Sequence, residues 1–487
     1  MTSAIRFDNS YARLPPRFFE PTLPTPVSKP RLIRLNRELA LQLGLDPEWL
    51  ASEAGVAMLA GNATAEGSTP IATAYAGHQF GHFVPQLGDG RAILLGEVID
   101  RDGLRRDIQL KGSGRTRFSR GGDGRAALGP VMREYIISEA MAAFGIPTTR
   151  ALAFVTTGDA VVREQFLPGA ILTRVAASHI RVGTFQFFAA RRDVEGITAL
   201  ADHVIARHYP ACAEAENRYL ALLEAVIAAQ ARLVAQWLLV GFVHGVMNTD
   251  NMSIAGETID YGPCAFLEAY DTDTVFSSVD VNGRYAYGNQ PSIALWNLTR
   301  LAETLVPLLA PDSAEAVERA QAALGRFGAQ FHAHYDAGLA RKLGLAGADP
   351  ADDALIRDWL ALLARHEADF TLSFRRLAQA PTSEEAQAAL RSLFGADAQF
   401  EDWLGRWQAR IEPQQAAETM RRANPAYIPR NHQVEAAIAA ATANADFGPF
   451  EALLAALARP FDEQPQFAGY ALPAKPEERV LRTFCGT

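Results

Sequence analysis

The feature that most constrains the fold is a change of hydrophobic pattern near residues 170–185. Before it, residues 91–111 alternate around a polar RDG turn, as a β-hairpin does, and residues 150–175 predict three short strands. After it, helical spacing prevails, most clearly over residues 216–240, and nearly everything beyond residue 290 is typical of helix. We therefore predict an α+β fold with a strand-rich first part and a large helical second part.

Composition indicates a globular protein and excludes several function classes. Of the 487 residues, 49 % are hydrophobic and 21 % are charged, which allows a large core. A net charge of −9 without a long basic run argues against nucleic acid as a main partner. No stretch approaches the roughly 18 unbroken apolar residues of a membrane span, and three cysteines do not make a secreted disulfide framework. We expect a cytoplasmic enzyme without a membrane or nucleic-acid partner.

Two parts are expected, residues 1–180 and residues 181–487. The first part begins with a proline-rich arm over residues 14–30, followed by a modestly amphipathic, helical stretch over residues 31–60. A loop rich in glycine and arginine follows the hairpin. The next helix is expected from about Pro130, because proline suits the first turn of a helix.

Two charged residues stand where a nucleotide-binding site would need them. Lys111 ends the second strand of the hairpin, and Glu134 lies in the first turns of the next helix, 23 residues later. Protein kinases hold nucleotide phosphates with a strand lysine that a helix glutamate steadies. A strand-edge lysine and a solvated glutamate are the alternative interpretation of the same pair.

A glycine-containing segment, QLGDGRAILLGEV, precedes that lysine. It matches part of the kinase loop G-x-G-x-x-G-x-V, because Gly88 and Gly90 are in place while Ile93 occupies the third glycine position. Glycines allow backbone N–H groups to approach phosphate oxygens. An ordinary turn before a strand explains the segment equally well.

The stretch HGVMNTDNMSIAGETIDYG carries candidate metal ligands. Asn251 and Asp260 supply amide and carboxylate oxygens, which suit Mg²⁺ beside a polyphosphate. Aligned with the kinase pattern H-R-D-x-x-x-x-N, the stretch has His244 first and Val246 in place of the catalytic aspartate. Asp250 is the nearest acid and therefore the candidate proton acceptor. A loop aspartate that caps a neighbouring N–H is the alternative.

Arginines gather around these motifs in a chain of net negative charge. Guanidinium groups bind phosphate through a planar fork of donors, so the clustering predicts strong binding of a triphosphate. Each arginine alone would be interpreted as a surface charge. The residues are Arg91 after the glycines, Arg115, Arg117, Arg120 and Arg125 in the following loop, and Arg174 and Arg181 near the junction of the two parts.

Three long stretches closely resemble one family. They are YAGHQFGHFVPQLGDGRA, DIQLKGSGRTRFSRGGDGRAALGPVMREYIISEA and HGVMNTDNMSIAGETIDYGPCAF. They are similar to the selenoprotein O family, whose bacterial members are called YdiU, over roughly residues 75–181 and 241–268. The resemblance implies a protein kinase-like fold of two lobes. It also implies protein adenylyltransferase activity, in which AMP passes from ATP to Ser, Thr or Tyr hydroxyls of proteins.

The same resemblance assigns roles to residues. In the family the nucleotide binds inverted relative to kinases, so the α-phosphate meets the acceptor and pyrophosphate leaves. By this resemblance Lys111 and Glu134 form the phosphate-holding ion pair, and Asp250 accepts the proton. Asn251 and Asp260 bind Mg²⁺, with Mn²⁺ as the alternative ion. The implied nucleotide-binding residues are Gly88, Gly90, Arg91, Lys111, Asp123, Gly124, Arg174, Arg181 and Asp260.

The end of the chain suggests a redox feature. Eukaryotic members of the family carry selenocysteine third from the end, where this chain has Cys485. Cys264 lies four residues past Asp260, beside the expected metal. We hypothesise a Cys264–Cys485 disulfide that fixes the tail near the site and senses redox state. Two unrelated thiols are the alternative, because cytosolic disulfides are mostly transient.

Three other interpretations of the activity stay open. The chain could be an ordinary kinase that transfers the γ-phosphate with Asp250 as base, a pseudokinase that only binds nucleotide, or an enzyme that transfers UMP with Mn²⁺. The retained lysine, glutamate, asparagine and aspartate argue against a pseudokinase, since a scaffold does not need all four. His78 and His82 have the spacing of metal ligands, but without a third ligand nearby we interpret them as structural.

Overall fold

The computed structural model describes residues 5–346 and 349–484. The strands are β1 (Phe19–Pro21), β2 (Arg31–Leu35), β3 (Ile71–Thr73), β4 (Gly77–Gln79), β5 (His82–Val84), β6 (Ala92–Ile99), β7 (Arg105–Lys111), β8 (Ala126–Ala127), β9 (Arg150–Val162), β10 (Phe166–Ala176), β11 (Phe242–Val243) and β12 (Ala265–Phe266). The helices are α1 (Arg37–Gln42), α2 (Pro47–Ala51), α3 (Glu53–Leu59), α4 (Leu128–Ala143), α5 (Val182–Ala189), α6 (Val194–His208), α7 (Arg218–Leu239), α8 (Gln290–Leu309), α9 (Ser313–Leu324), α10 (Phe327–Lys342), α11 (Pro350–Arg365), α12 (Phe370–Gln379), α13 (Glu384–Arg391), α14 (Ala398–Gln408), α15 (Pro413–Ala423), α16 (Asn431–Asn444) and α17 (Gly448–Leu457).

The first part of the chain is built around one antiparallel sheet. Within the described residues it has eight strands, in the order β1–β3–β6–β7–β10–β9–β2, with β8 paired to β10. The short pairs β4–β5 and β11–β12 lie outside this sheet. The prediction of a sheet-rich first part and a helical second part is confirmed.

The predicted hairpin is present as β6 and β7, with Asp102 and Gly103 in its turn. The turn is fixed by Asp100, whose carboxylate accepts hydrogen bonds from the backbone N–H groups of Asp102 and Leu104 at 3.0 and 2.8 Å. Gly103 has a φ of 79°, a conformation that glycine adopts without steric cost. The turn residues therefore have a local physical cause that the sequence could reveal.

Two local predictions are wrong. Two long strands, β9 and β10, occupy residues 150–175 in place of three short ones. Gly158, with a φ of 78°, lies where the register between them shifts, so the polar TTGD stretch is a bulge and not a turn. Residues 31–60 are helical only from Arg37, because Arg31–Leu35 pair as an edge strand with β9.

Helix α4 lies against the sheet and carries Glu134. It starts at Leu128, close to the predicted start at Pro130. Its Tyr135 ring contacts the rings of Phe154 in β9 and Phe450 in α17, with centroids 5.8 and 5.6 Å apart. The C-terminal helices α16 and α17 thus share a hydrophobic core with the strand-rich part. The boundary between residues 180 and 181 stays a prediction.

Helix α7 is the longest apolar helix among the described residues. By length and composition it could cross a membrane, but 61 % of its most apolar window is buried inside the protein. Its buried residues, such as Val226, Ala231 and Val234, belong to the large core of the helical part. This is the environment of a core helix.

A buried ion network joins the sheet to the helical part. The side chain of Arg207 in α6 is 4 % exposed and lies 3.1 Å from Glu97 of β6 and 2.7 Å from Asp107 of β7. Asp107 also accepts a hydrogen bond from the backbone N–H of His179 at 2.9 Å. Burial alone would raise the pKa of Asp107, but Arg207 and His179 together hold that pKa well below its usual range.

Arg207→Ala should lower the free energy of unfolding by about 3–5 kcal/mol, because it removes the arginine from buried Asp107 and leaves Glu97 paired with Arg105 alone among its present arginine partners in the described residues. Chemical denaturation near neutral pH measures this. Because the pKa of Asp107 is lower in the folded than in the unfolded protein, this stabilisation is present at neutral pH and is lost only as pH falls in the acid range. Arg422→Ala, which breaks an exposed pair with Glu418, is the control and should cost less than about 0.5 kcal/mol. Equal losses of unfolding free energy in the two variants would show that the buried Arg207 ion pairs stabilise the protein no more than an exposed pair does.

Candidate active site

Lys111 and Glu134 form an ion pair between the sheet and α4. The Lys111 Nζ lies 2.5 Å from Glu134 Oε2, and the two side chains are 12 % and 3 % exposed. Lys111 pairs with Ala92 of β6 on one side and with Leu172 of β10 on the other, so it lies in the interior of the sheet. The alternative of a strand-edge lysine and a solvated glutamate is therefore wrong.

Asp260 is the carboxylate on which three cations converge. Its Oδ1 lies 3.2 Å from Lys111 Nζ and 2.5 Å from Arg174 Nη1, and its Oδ2 lies 3.3 Å from Arg181 Nη2. Its φ of 60° is in the left-handed region, which is uncommon for a residue other than glycine. Burial alone would raise the pKa of Asp260, but the charges of Arg174, Lys111 and Arg181 hold it well below its usual range. The carboxylate is therefore ionised at neutral pH.

Buried polar groups fix the two arginines in place. Arg174 donates through Nε and Nη2 to Gln109 Oε1 at 3.1 and 2.5 Å, and its Nη1 lies 3.1 Å from Glu134 Oε1. Arg181 lies over the Tyr75 ring at 4.4 Å, and its Nε has no hydrogen-bond partner among the described residues. Contacts within the protein thus fix both guanidinium groups. Binding a phosphate to them would therefore cost little side-chain entropy.

The charges in this cluster are balanced in the structure. The three cations face the carboxylates of Glu134, Asp260 and Asp89, and Asp89 Oδ1 lies 3.7 Å from Arg181 Nη1. Asp89 is buried and accepts from the backbone N–H and hydroxyl of Thr73 at 3.0 and 2.6 Å. A triphosphate bound here would add negative charge that the cluster does not neutralise, so a divalent cation fits the site.

Asp250 is a buried carboxylate with only one oxygen bonded. Its Oδ2 accepts from Gln79 Nε2 at 3.2 Å, while its Oδ1 has no hydrogen-bond partner among the described residues. Burial raises the pKa of Asp250 to about 6, although its backbone N–H, Gln79 and Arg181 act in the opposite direction. Arg181 forms a β-bridge with Ser253, which brings Asp250 close to the cluster. Such a carboxylate can accept a proton near neutral pH.

Asn251 is bonded through its amide nitrogen, and its role as a metal ligand stays a prediction. Its Nδ2 donates to the Val246 carbonyl at 2.9 Å, so its Oδ1 is directed away from that bond. No group of three His, Cys, Asp or Glu side chains suited to a metal occurs in the part of the chain that the structure describes. Asn251 and Asp260 therefore fit Mg²⁺ only together with oxygens from a bound phosphate or water.

The glycines of the predicted phosphate loop pack against protein. A Cβ on Gly88 would lie 2.3 Å from the Phe118 ring, and one on Gly90 would lie 2.9 Å from the Phe118 carbonyl. A Cβ on Gly124 would lie 2.1 Å from the Gly114 carbonyl. Loop packing thus explains all three glycines, and their contact with a nucleotide stays a prediction.

Most charged residues of the 112–129 loop are bonded to protein groups, within the loop or outside it. The contacts are Arg115 with the Gly122 carbonyl, Arg117 with Glu20, Arg125 with the carbonyls of Thr25 and Pro26, and Asp123 with Arg163. Arg91 and Arg120 form no ion pair within residues 5–346 and 349–484. The structure thus brings only Arg174 and Arg181, of the predicted arginines, to Asp260. The roles predicted for Arg91, Asp123 and the loop arginines stay predictions.

Three buried or half-buried polar residues of the site were not predicted from the sequence. Gln109 shares one face of β7 with Asp107 and Lys111, and that alternation was a usable signal. Asp89 stands between the two glycines of the QLGDGRA segment. Gln79 bonds Asp250 across 171 positions of sequence, and no local pattern indicates such a contact.

The two histidines of GHQFGH do not form a metal site. His78 Nδ1 lies 2.8 Å from Gln186 Nε2, and its ring packs on Phe83 and Trp296 at 4.9 and 5.1 Å. His82 is exposed. The structural interpretation of His78 agrees with these contacts.

The hypothesised Cys264–Cys485 bond extends beyond the described residues, because Cys485 lies outside them. Cys264 is fully buried. The tail comes close to it at Thr483, whose Oγ1 donates to the carbonyl of Pro263. The disulfide stays a prediction.

Comparison with known proteins agrees with the resemblance of the motifs. The family described as Protein adenylyltransferase SelO matches residues 2–458. A protein of Rhodopseudomonas palustris is 65 % identical over 492 residues, and one of Methylorubrum extorquens is 64 % identical over 498 residues. Both matches cover 100 % of each chain, and both proteins are named Protein nucleotidyltransferase YdiU. The chain therefore belongs to the SelO family of protein adenylyltransferases.

Proposed function

We propose that this protein transfers AMP from ATP to Ser, Thr or Tyr hydroxyls of other proteins and releases pyrophosphate. One observation carries the proposal: Asp260 is bound by three cations, while Asp250 nearby is buried with its Oδ1 unbonded among the described residues. The first arrangement suits a phosphate and metal site, and the second suits a base. The family and the names of the relatives support nucleotidyl transfer to proteins. The sheet, the Lys111–Glu134 pair and the helical second part support a kinase-like fold of two lobes.

In this proposal the outer phosphates bind at the cations. Arg174 and Arg181 are already ordered, and the planar forks of these arginines suit phosphate oxygens. Lys111 adds a third positive charge at the same place. Mg²⁺, or Mn²⁺, held by Asn251 and Asp260 would neutralise phosphate charge when bound. The α-phosphate would then lie toward the acceptor.

The transfer step requires a base beside the acceptor hydroxyl. The hydroxyl proton passes to the Asp250 carboxylate while the hydroxyl oxygen bonds the α-phosphorus. The bond from the α-phosphorus to its bridging oxygen breaks, and that electron pair leaves with pyrophosphate. Val246 is a buried valine at the place of the kinase aspartate and accepts no proton, so a γ-phosphate presented there would lack a base.

We propose that the reaction takes place in the cytoplasm with proteins as acceptors. The chain has a net charge of −9, which disfavours nucleic acid as a partner. Its most apolar long helix, α7, is largely buried in the core of the helical part. Neither a membrane nor nucleic acid is therefore part of the proposal.

Labelled ATP distinguishes the proposal from its rivals. Incubation with cell extract and Mg²⁺ should label proteins from ATP carrying the label at the α-phosphate and not at the γ-phosphate, because AMP retains only the α-phosphorus. A parallel reaction with α-labelled UTP and Mn²⁺ tests UMP transfer. Label from the γ position would establish a kinase instead. Nucleotide binding without any labelling would establish a pseudokinase.

Asp250→Asn should lower kcat by about 10²–10⁴-fold, because the base is lost. The thermal midpoint at neutral pH should not fall, since the substitution removes a buried charge that forms no ion pair with the residues the structure describes. In the wild type, kcat/KM should decline as pH falls below about 6, where Asp250 becomes protonated and cannot accept a proton. Steady-state kinetics across pH measures kcat and kcat/KM, and thermal denaturation measures the midpoint.

Glu257→Gln is the matched control for that prediction. Burial also raises the pKa of Glu257, to about 7, but its Oε2 accepts from the backbone N–H of Ala177 and not from a group of the site. The control should retain the wild-type kcat. It should also retain the decline of kcat/KM below about pH 6, which is the acid limb of the pH profile. If Glu257→Gln moved the acid limb and Asp250→Asn kept full activity, the base would be misassigned.

A further inference from the structure

The β4–β5 hairpin, Gly77–Val84, is a separate element that lies on the loop of Asp250. It is outside the main sheet, and its two-residue turn has positive φ at both positions, 51° at Phe80 and 86° at Gly81. Such a turn suits a tight hairpin, but a phenylalanine in the left-handed region is uncommon and is held only by its surroundings. Here the Phe80 ring packs on Tyr285 at 5.2 Å, and its backbone N–H lies 3.2 Å from the Tyr285 hydroxyl.

Backbone groups of the hairpin bind the loop residues before Asp250. The N–H of His78 donates to Thr249 Oγ1 at 2.6 Å, and the N–H of Phe80 is 3.1 Å from Asn248 Oδ1. Thr249 Oγ1 in turn donates to Gln186 Oε1 at 2.6 Å. The hairpin and the loop therefore form one hydrogen-bonded unit, in which the unusual turn is stabilised by its contacts with the loop.

Within this unit Gln79 is the side chain that contacts the Asp250 carboxylate. Its Nε2 donates to Oδ2 at 3.2 Å, and Oδ1 has no partner within the described ranges. The absence of a side chain at Gly77 leaves room for this oxygen, because a Cβ there would lie 2.4 Å from Oδ1. The hairpin therefore restrains both oxygens, Oδ2 through the Gln79 amide and Oδ1 through close packing against Gly77.

We propose that Gln79 is the positioning residue for Asp250, and that the β4–β5 hairpin holds Gln79 in its place beside Asp250. The inference rests on the proposed function, because it takes Asp250 as the proton acceptor. Gln79 binds Oδ2 and Gly77 lies against Oδ1, so the hairpin fixes the orientation of the carboxylate beside the acceptor hydroxyl. The proton moves from the hydroxyl to the Asp250 carboxylate, and Gln79 itself gains and loses none.

Gln79→Leu should lower kcat by about 10- to 100-fold, because a misplaced base transfers protons poorly. KM for ATP and the affinity for ATP should stay unchanged, since the cations at Asp260 are untouched. In an Asp250→Asn background, Gln79→Leu should produce no further loss, because Gln79 acts only through that carboxylate. Pyrophosphate release and α-label incorporation measure the rates, and calorimetric titration measures ATP binding.

Two further variants keep the test decisive. Gln79→Met has a similar length, no donor and no charge, and should lose activity in the same way if Gln79→Leu fails to fold. His82→Ala, an exposed change on the same hairpin, should retain the wild-type kcat. Wild-type kcat in Gln79→Leu, or a loss that multiplies with Asp250→Asn, would overturn the positioning role alone. Full activity in Asp250→Asn would instead overturn the proposed function.

Discussion

The convergence of three cations on the Asp260 carboxylate is the interaction on which the rest of the site depends. Lys111 comes from β7, Arg174 from β10, and Arg181 from the start of α5, so the sheet and the helical part meet at one group. Buried charges of this kind are stable only when they are paired and hydrogen-bonded. Gln109, Glu134 and the Tyr75 ring complete that pairing. The position of Asp260 relative to the sheet follows from this electrostatic requirement.

The two carboxylates of the loop region differ because their surroundings differ. Cations hold Asp260 ionised, whereas Asp250 is desolvated and accepts a side-chain hydrogen bond from the Gln79 amide on one oxygen. The first suits metal and phosphate binding, and the second suits proton transfer. Val246 stands at the kinase position, and Asp250, the base in the proposed reaction, lies four residues further along the chain. A base at a different position from that of a kinase is consistent with a different electrophile, which is the α-phosphorus in the proposed reaction.

The sequence was informative where structure is local and less so where it is not. The β6–β7 hairpin, the α4 helix and the order of Lys111 and Glu134 follow from turn chemistry, periodicity and strand ends. The bulge at Gly158 resembles a turn in sequence, so one long strand was divided in two. The contacts of Gln79 depend on folding of distant segments, as does the packing of Phe118 on Gly88. The arginine-rich loop was equally hard to interpret. Composition does not distinguish an arginine that binds phosphate from one that donates a hydrogen bond to a backbone carbonyl.

A crystal structure with a non-hydrolysable ATP analogue and Mg²⁺ tests the central claim most directly. In the proposed reaction the β- and γ-phosphates lie beside Arg174 and Arg181, and the α-phosphorus faces the carboxylate of Asp250. The claim also predicts a metal bound by Asn251 and Asp260. A nucleotide whose γ-phosphate faces Asp250, with the α-phosphate buried among the arginines, would contradict it.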